Sequence, residues 1–258
     1  MGKKKKKELE NVSPIIEIGG TEKNVSKSLK YKINLKCKNQ KQKELVHAIH
    51  ENQITFVEGV FGVGKTYVIN SVALSILKEP NNGIDRIILI VPTLESGGNE
   101  LSIGLLPGTK TEKIEMYHDA TLDTIKKILE KSGNSNPKEI LHDLLHDGYI
   151  EMECANFVLG KTWDNAFVII DEAENFNKQE TLLLCSRLGE NSKLIFSGDR
   201  RQTTRKSILK NNEESGFLYG MKKLTSIKGI SKFQFDENDI VRNPILYEIY
   251  KKWTEDEK

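Results

Sequence analysis

Apolar positions along this chain follow two alternating rhythms. Short, nearly unbroken apolar runs occur at residues 54–57, 86–91, 167–170 and 194–196, each bounded by polar or glycine-containing turns. Such runs are expected of strands buried on both faces of a parallel sheet. Between them a helical spacing takes over. Leu45, Val46 and Ile49 predict a helix over about 42–50. Val68, Val72, Ala73 and Ile76 predict one face of a helix over about 65–78, ended by turn signals at 80–83. Further helices are expected near 179–188 and 244–253, with a last strand near 233–235. The stretch 93–165 carries turn signals and amphipathic helices. Strands alternating with helices predict an α/β fold: a mostly parallel, doubly wound sheet with helices on both faces. Residues 1–36 break the pattern, being polar and lysine-rich with one apolar patch at Ile15-Ile16. They read as a partly flexible extension of a single domain over 37–258, and no internal repeat is visible.

Composition narrows the class. With 258 residues, 37% hydrophobic and 29% charged, the chain can build one sizeable globular core. No apolar run approaches the roughly 18–20 residues that span a bilayer, and no hydrophobic leader follows the first lysines, so a cytoplasmic protein without membrane contact is expected. Gly2 alone does not make a myristoylation signal, since position 6 is Lys6 rather than serine or threonine. Cys37, Cys154 and Cys185 are scattered and odd in number, as expected of reduced thiols rather than a disulfide frame or zinc site. Net charge is only +2. The lysines are nonetheless uneven: Lys3 to Lys7 are continuous, and Lys23, Lys27, Lys30, Lys32, Lys36, Lys38, Lys41 and Lys43 follow. The block reads either as a phosphate-contacting arm or as a solvated tail.

The chemistry begins after the first strand. Gly59-Val60-Phe61-Gly62-Val63-Gly64-Lys65-Thr66 fits the phosphate-loop (Walker A) pattern G-x-x-x-x-G-K-[ST], with a strand before it and a helix after. Glycines let the backbone curl so that N–H groups and the helix N-terminus face an anion. Gly59, Val60, Gly62, Val63, Gly64, Lys65, Thr66 and Tyr67 are the candidate nucleotide-binding residues. Lys65 would reach the outer phosphates of ATP, and Thr66 would hold Mg²⁺. The strand at 167–170 delivers Asp171-Glu172, which suits magnesium binding by Asp171 and activation of an attacking water by Glu172; paired acids here can also simply cap a helix. The strand at 194–196 leads to Ser197-Gly198-Asp199-Arg200-Arg201-Gln202. Lying between the other two, that strand would put Gln202 near the γ-phosphate; the alternative is an ordinary Gly-Asp turn.

Together these motifs resemble the PhoH-like family, ATPases related to the core of superfamily 1 helicases, over roughly residues 38–250. Leu101 to Gly108 with Glu112-Lys113-Ile114 is similar to the family's GFLPG-x-x-x-EK segment. Arg187-Leu188-Gly189 with Ser192-Lys193 resembles TRLG-x-x-SK, Ser215-Gly216-Phe217 its SGL, and Asp239-Ile240-Val241-Arg242 its DVVR. Gln42 falls where the family has a glutamine resembling the adenine-reading Q motif. The resemblance implies a RecA-like P-loop NTPase fold, ATP hydrolysis, and homo-oligomers in hexameric rings with an arginine acting across subunits. Arg242 and Arg187 are the candidate arginines. Three positions depart from the pattern: Val91-Pro92 stands for Arg-Pro, Leu159-Gly160-Lys161-Thr162 for RGRT, and Asp171-Glu172-Ala173-Glu174-Asn175 for DEAQN. Lysine cannot reproduce a bidentate arginine fork.

Other features read as structural. His142 and His146 have the i, i+4 spacing of a zinc helix but lack a glutamate and a third ligand, so surface histidines are expected. Phe61 reads as loop packing. Tyr247, Tyr250 and Trp253 share a helix face and are expected in the core. The functional expectation is an ATPase coupled to RNA or single-stranded DNA. A chain this long has room for one RecA-like domain and no appended nuclease, so movement along a strand would require a ring. The alternatives are a nucleotide-gated interaction module with little turnover and a small-molecule kinase, which the adjacent Asp171-Glu172 disfavours.

Overall fold

The computed structural model describes residues 29–79, 81–92, 110–205 and 213–255. The chain divides into Met1–Lys30 and Tyr31–Lys258, and the second unit holds every element below. Its helices are α1 (Gln40–Glu51), α2 (Lys65–Lys78), α3 (Lys110–Lys131), α4 (Pro137–His146), α5 (Lys178–Cys185), α6 (Gly216–Lys223) and α7 (Pro244–Trp253). The strands are β1 (Ile54–Glu58), β2 (Arg86–Val91), β3 (Ile150–Cys154), β4 (Ala166–Ile170), β5 (Lys193–Gly198) and β6 (Ile230–Gln234). They form one sheet in the order β3-β2-β4-β5-β1-β6 with every pairing parallel. This is the α/β architecture expected, with β5 inserted between β1 and β4.

β1 and β4 are buried along their whole length, as their apolar runs require. Phe56 of β1 stacks on Phe196 of β5 with ring centroids 4.7 Å apart, and Phe217 of α6 closes the cluster at 6.1 Å. The Ile15-Ile16 patch, the lysines up to Lys27, and Leu101 to Gly108 lie outside the described residues.

Four expectations need correction. The stretch 93–165 contains a strand, β3. Its alternation Ile150-Glu151-Met152-Glu153-Cys154 hides it from a search for continuous apolar runs; this edge strand carries Glu151 half-buried beside Arg86 and Glu153 buried against Lys161. Residues 31–36, assigned to the extension, pack with the body. Tyr31 Oη donates to the Leu74 carbonyl at 2.8 Å, and Lys32 N donates to Asn134 Oδ1 at 2.8 Å. α2 is buried on nearly every side rather than on one face, since the 31–35 segment, α1 and α3 join the sheet in covering it. Finally, α7 contributes nothing to the core: it has no buried residue, and Trp253 is 81% exposed.

Candidate active site

β1 runs straight into the loop 59–64, and α2 starts at Lys65. Gly62 and Gly64 have φ of 82° and 87°, conformations that disfavour any side chain. A Cβ on Gly64 would also lie 2.9 Å from Gln42 Nε2. Four residues hold the loop: Gly59 N donates to the Gly198 carbonyl at 3.2 Å, Val241 N and Arg242 N donate to the Gly62 carbonyl at 3.0 and 3.1 Å, and Gln42 Nε2 donates to the Val63 carbonyl at 2.9 Å. No side chain caps α2 at its N-terminus, so its first amides face the loop's concavity as an anion cradle.

Lys65 Nζ donates to the carbonyls of Gly59 and, at 3.3 Å, of Val60. Burial lowers its pKa, opposed by the charges of Asp199, Asp171, Glu174 and Glu58. Four carboxylates therefore surround one ammonium. Thr66 follows it on the first turn of α2. Tyr67 is partly buried beneath the Lys131 ammonium, 5.3 Å from its ring.

β4 ends at Ile170, and Asp171 N donates to the Ile90 carbonyl at 3.0 Å. Burial raises the Asp171 pKa, countered by the Glu172 amide, Lys65 and the hydroxyls of Ser197 and Thr121. Glu172 sits at φ 52°, a left-handed conformation costing about 1–2 kcal/mol in a residue with a side chain. That twist turns its carboxylate outward at the sheet's C-terminal edge, where it is exposed. Partial desolvation, then the charge of Asp171, raises its pKa.

Two buried side chains link this segment to the end of β5. Glu174 Oε2 accepts from Asp199 N at 3.0 Å, and Asn175 Oδ1 accepts from Thr204 N at 2.8 Å. Asp199 in turn accepts from Gln202 Nε2 at 3.0 Å, leaving Gln202 exposed at the rim. Glu174 stands where the family pattern has glutamine. Burial foremost, with the charges of Asp171 and Glu172, raises its pKa from 4.5 to about 7. The folded carboxyl thus holds its proton more tightly than the unfolded one, and stability falls as pH rises from about 4.5 to 7 and levels off above. Glu174→Gln should remove this slope. The variant should melt higher than wild type at pH 8, with the gap closing near pH 4.5; parallel melting profiles would place the titration elsewhere.

The remaining candidates are spread more widely. Gln42 is buried, with Oε1 accepting from Lys38 N at 2.8 Å and Nε2 donating to the Val63 carbonyl, so its amide ties the loop to the start of α1. Arg242 is exposed beside Gly62. Arg187 is half-buried at the opposite edge of the sheet, its Nη1 donating to the Lys161 carbonyl at 3.2 Å: its own carbonyl accepts from Trp163 N at 2.8 Å, ahead of β4, whose five residues span about 17 Å before Asp171. Lys161 pairs with Glu153. His142 and His146 are exposed, each beside the aspartate that follows it. Phe61 meets Tyr250 edge-on at 5.9 Å. Among the described residues, no group of three or more histidine, cysteine or acidic side chains could hold a metal ion, and no helix is long and apolar enough to cross a membrane. Glu58 and Arg200 escaped sequence reading, although a charged residue closing a buried strand is itself a signal that a partner is needed.

Comparison with known proteins adds independent findings. The family model described as PhoH-like protein matches residues 34–254. A PhoH-like protein of Bacillus subtilis is 32% identical over 249 residues, covering 96% of this chain and 71% of that protein. One from Synechocystis is 30% identical over 223 residues, covering 86% and 63%. Protein PhoH of Escherichia coli is 27% identical over 242 residues, covering 93% and 64%. The chain therefore spans about two thirds of the length of these relatives. Among solved structures, Bacteroides Pif1 bound to ssDNA aligns over 86% of this chain and 46% of its own, at 14% identity and a TM-score of 0.38.

Proposed function

This chain belongs to the PhoH-like protein family, and from that premise we propose that it binds ATP with Mg²⁺, hydrolyses the ATP, and couples hydrolysis to RNA or single-stranded DNA. The observation that carries the reading is the convergence of Lys65 and Asp171, with Glu172 next to Asp171, at the C-terminal edge of β1 and β4, and with Gln202 following β5 between them. Loop amides and Lys65 bind the outer phosphates. The desolvated Asp171 carboxylate and the Thr66 hydroxyl are hard oxygen donors that fit magnesium. Asp171 and Thr66 would hold the magnesium ion, which would supply positive charge against the negative charge of the phosphates. Glu172 takes the proton of the attacking water as its oxygen–phosphorus bond forms, and the electron pair of the broken bond leaves on ADP. Its raised pKa makes it a stronger base than an ordinary carboxylate. Gln202, tethered to Asp199, senses the γ-phosphate, while Gln42 holds the loop and borders the base.

The two candidate arginines divide by position. Arg242 borders its own loop, whereas Arg187, at the far edge, serves only a nucleotide held by another copy in a ring. Mixing Arg187→Ala with Glu172→Gln chains should then restore part of the turnover that each lacks. Mixing Arg242→Ala with Glu172→Gln should not, and absence of rescue in both would argue against a shared site.

A second reading, a nucleotide-gated interaction module that recruits partner proteins with little turnover, is favoured by Lys161. This residue stands for the family's second arginine and is already engaged by Glu153. Phosphate release with and without single-stranded RNA and DNA separates the two. Stimulation by one polynucleotide supports coupling and names the track; nucleotide binding without turnover under every condition favours the module.

A further inference from the structure

β1 closes on a charge. The side chain of Glu58 is 7% exposed, yet it sits immediately before the first glycine of the phosphate loop. Arg200 grips it with Nε and Nη2, and Gln234 Nε2 donates to the same carboxylate at 2.7 Å. Burial acts to raise the Glu58 pKa, but the Arg200 and Gln234 hydrogen bonds and the charges of Arg200 and Lys65 outweigh it, so the group is an anion.

The two partners are unequal. Glu58 is fixed in the floor, whereas the Arg200 side chain is 53% exposed and reaches in from a cleft of about 190 Å³ bordered by Gly59, Val60, Asp199 and Tyr250. As a packing device the pair is poor, because a buried ion pair is seldom more stabilising than an apolar residue of similar size. Its position is more informative. Glu58 leads into Gly59, whose carbonyl Lys65 Nζ holds, and Arg200 follows Asp199, whose charge acts on Lys65. One carboxylate thus receives two cations, Lys65 on the loop side and Arg200 on the cleft side. A triphosphate seated in the loop brings its terminal oxygens to Lys65, which shares Glu58 with Arg200. There a phosphate competes well with a carboxylate, offering more charge and the same fit to the guanidinium fork.

We propose that Arg200 is a catalytic residue of this chain's own site, which exchanges the Glu58 carboxylate for the terminal phosphate oxygens of a bound nucleoside triphosphate and stabilises the charge that builds there during hydrolysis. Arg200 transfers no proton; it exchanges one set of hydrogen bonds for another. The proposal rests on the ATP-hydrolysis reading, so its test needs a readout that does not depend on turnover.

That readout is the preference for ATPγS over ADP, measured with fluorescent derivatives of each in the presence of Mg²⁺, beside steady-state phosphate release. Arg200→Ala strands a buried anion, so Glu58→Gln in the same chain makes the double variant the one to read. The double variant should lose about tenfold in triphosphate preference and at least about a hundredfold in kcat, with ADP affinity within about twofold of wild type. Arg200→Lys should recover less than about a tenth of the lost kcat, because an ammonium cannot fork. Glu58→Gln alone should raise the triphosphate preference a few-fold, since the competing acceptor is weaker. A double variant with unchanged preference and kcat within threefold of wild type would make the pair structural and overturn the proposal. Equal losses for ATPγS and ADP would overturn it too, by assigning the pair to loop shape. A wild type that binds but never hydrolyses would overturn the hydrolysis reading instead, and the preference ratio would still decide whether Arg200 meets the phosphate.

Discussion

Lys65→Ala should abolish ATP binding at concentrations that saturate wild type, lowering affinity by roughly 10²–10³-fold. The magnitude follows from the surroundings of the ammonium. Asp199, Asp171, Glu174 and Glu58 all act on it, and burial already strains its charge. Removing the ammonium leaves these acids with Arg200 paired to Glu58 alone, a cavity that repels a polyanion. A single charge pair near 4 Å at an effective dielectric of 20 is worth about 4 kcal/mol, which sets the scale. The fold should tolerate the change, because Lys65 spends its hydrogen bonds on the loop carbonyls of Gly59 and Val60 rather than on the core. Fluorescent-nucleotide titration beside a melting curve checks both halves. Undiminished affinity in a folded Lys65→Ala chain would remove the nucleotide from this loop.

Glu172→Gln should do the opposite, keeping ATP affinity within a few-fold while lowering turnover by about 10²–10⁴-fold, the range expected for loss of a general base. The exposed carboxylate makes no hydrogen bond to the loop, so binding has little to lose. The pH dependence gives a second signature. Because the Glu172 pKa is raised by desolvation and by Asp171, its basic form is lost as pH falls through a value above that of an ordinary glutamate. Wild-type kcat should decline on that acid limb, and the residual rate of Glu172→Gln should lack it. An identical limb in both chains would assign the base elsewhere.

These predictions concern residues that were legible in sequence because their signals are local. β1, the glycine loop and α2 are consecutive, so spacing alone locates Lys65 and Thr66. Asp171 and Glu172 are legible because β4 is an apolar run that stops at them. The rest depends on contacts between distant segments. Periodicity reveals that Tyr247, Tyr250 and Trp253 share a side of α7, but not whether anything covers that side, and Trp253 stands in solvent. β3 alternates charge with apolar residues, and its glutamates find partners in Arg86 and Lys161 from other segments; its place at the sheet edge shows only in the sheet order. Gln42 is visible as a motif, yet its bond to the Val63 carbonyl comes from the packing of α1 against the loop. Arg187 and Arg242 look alike in sequence, and the direction of the strands sets them at opposite strand ends. The Glu58–Arg200 pair spans 142 positions, beyond the reach of any local pattern.

The central claim is that this loop and this acidic pair form a magnesium-dependent ATP-hydrolysing site. Single-turnover quench of terminally labelled ATP by excess protein, with Mg²⁺ and with chelator, tests it most directly. The account predicts free inorganic phosphate and ADP in equal amounts with magnesium, no acceptor required, and none with chelator. Labelled phosphate that stays on ATP while the nucleotide is demonstrably bound, or that passes only to an added acceptor, would contradict it.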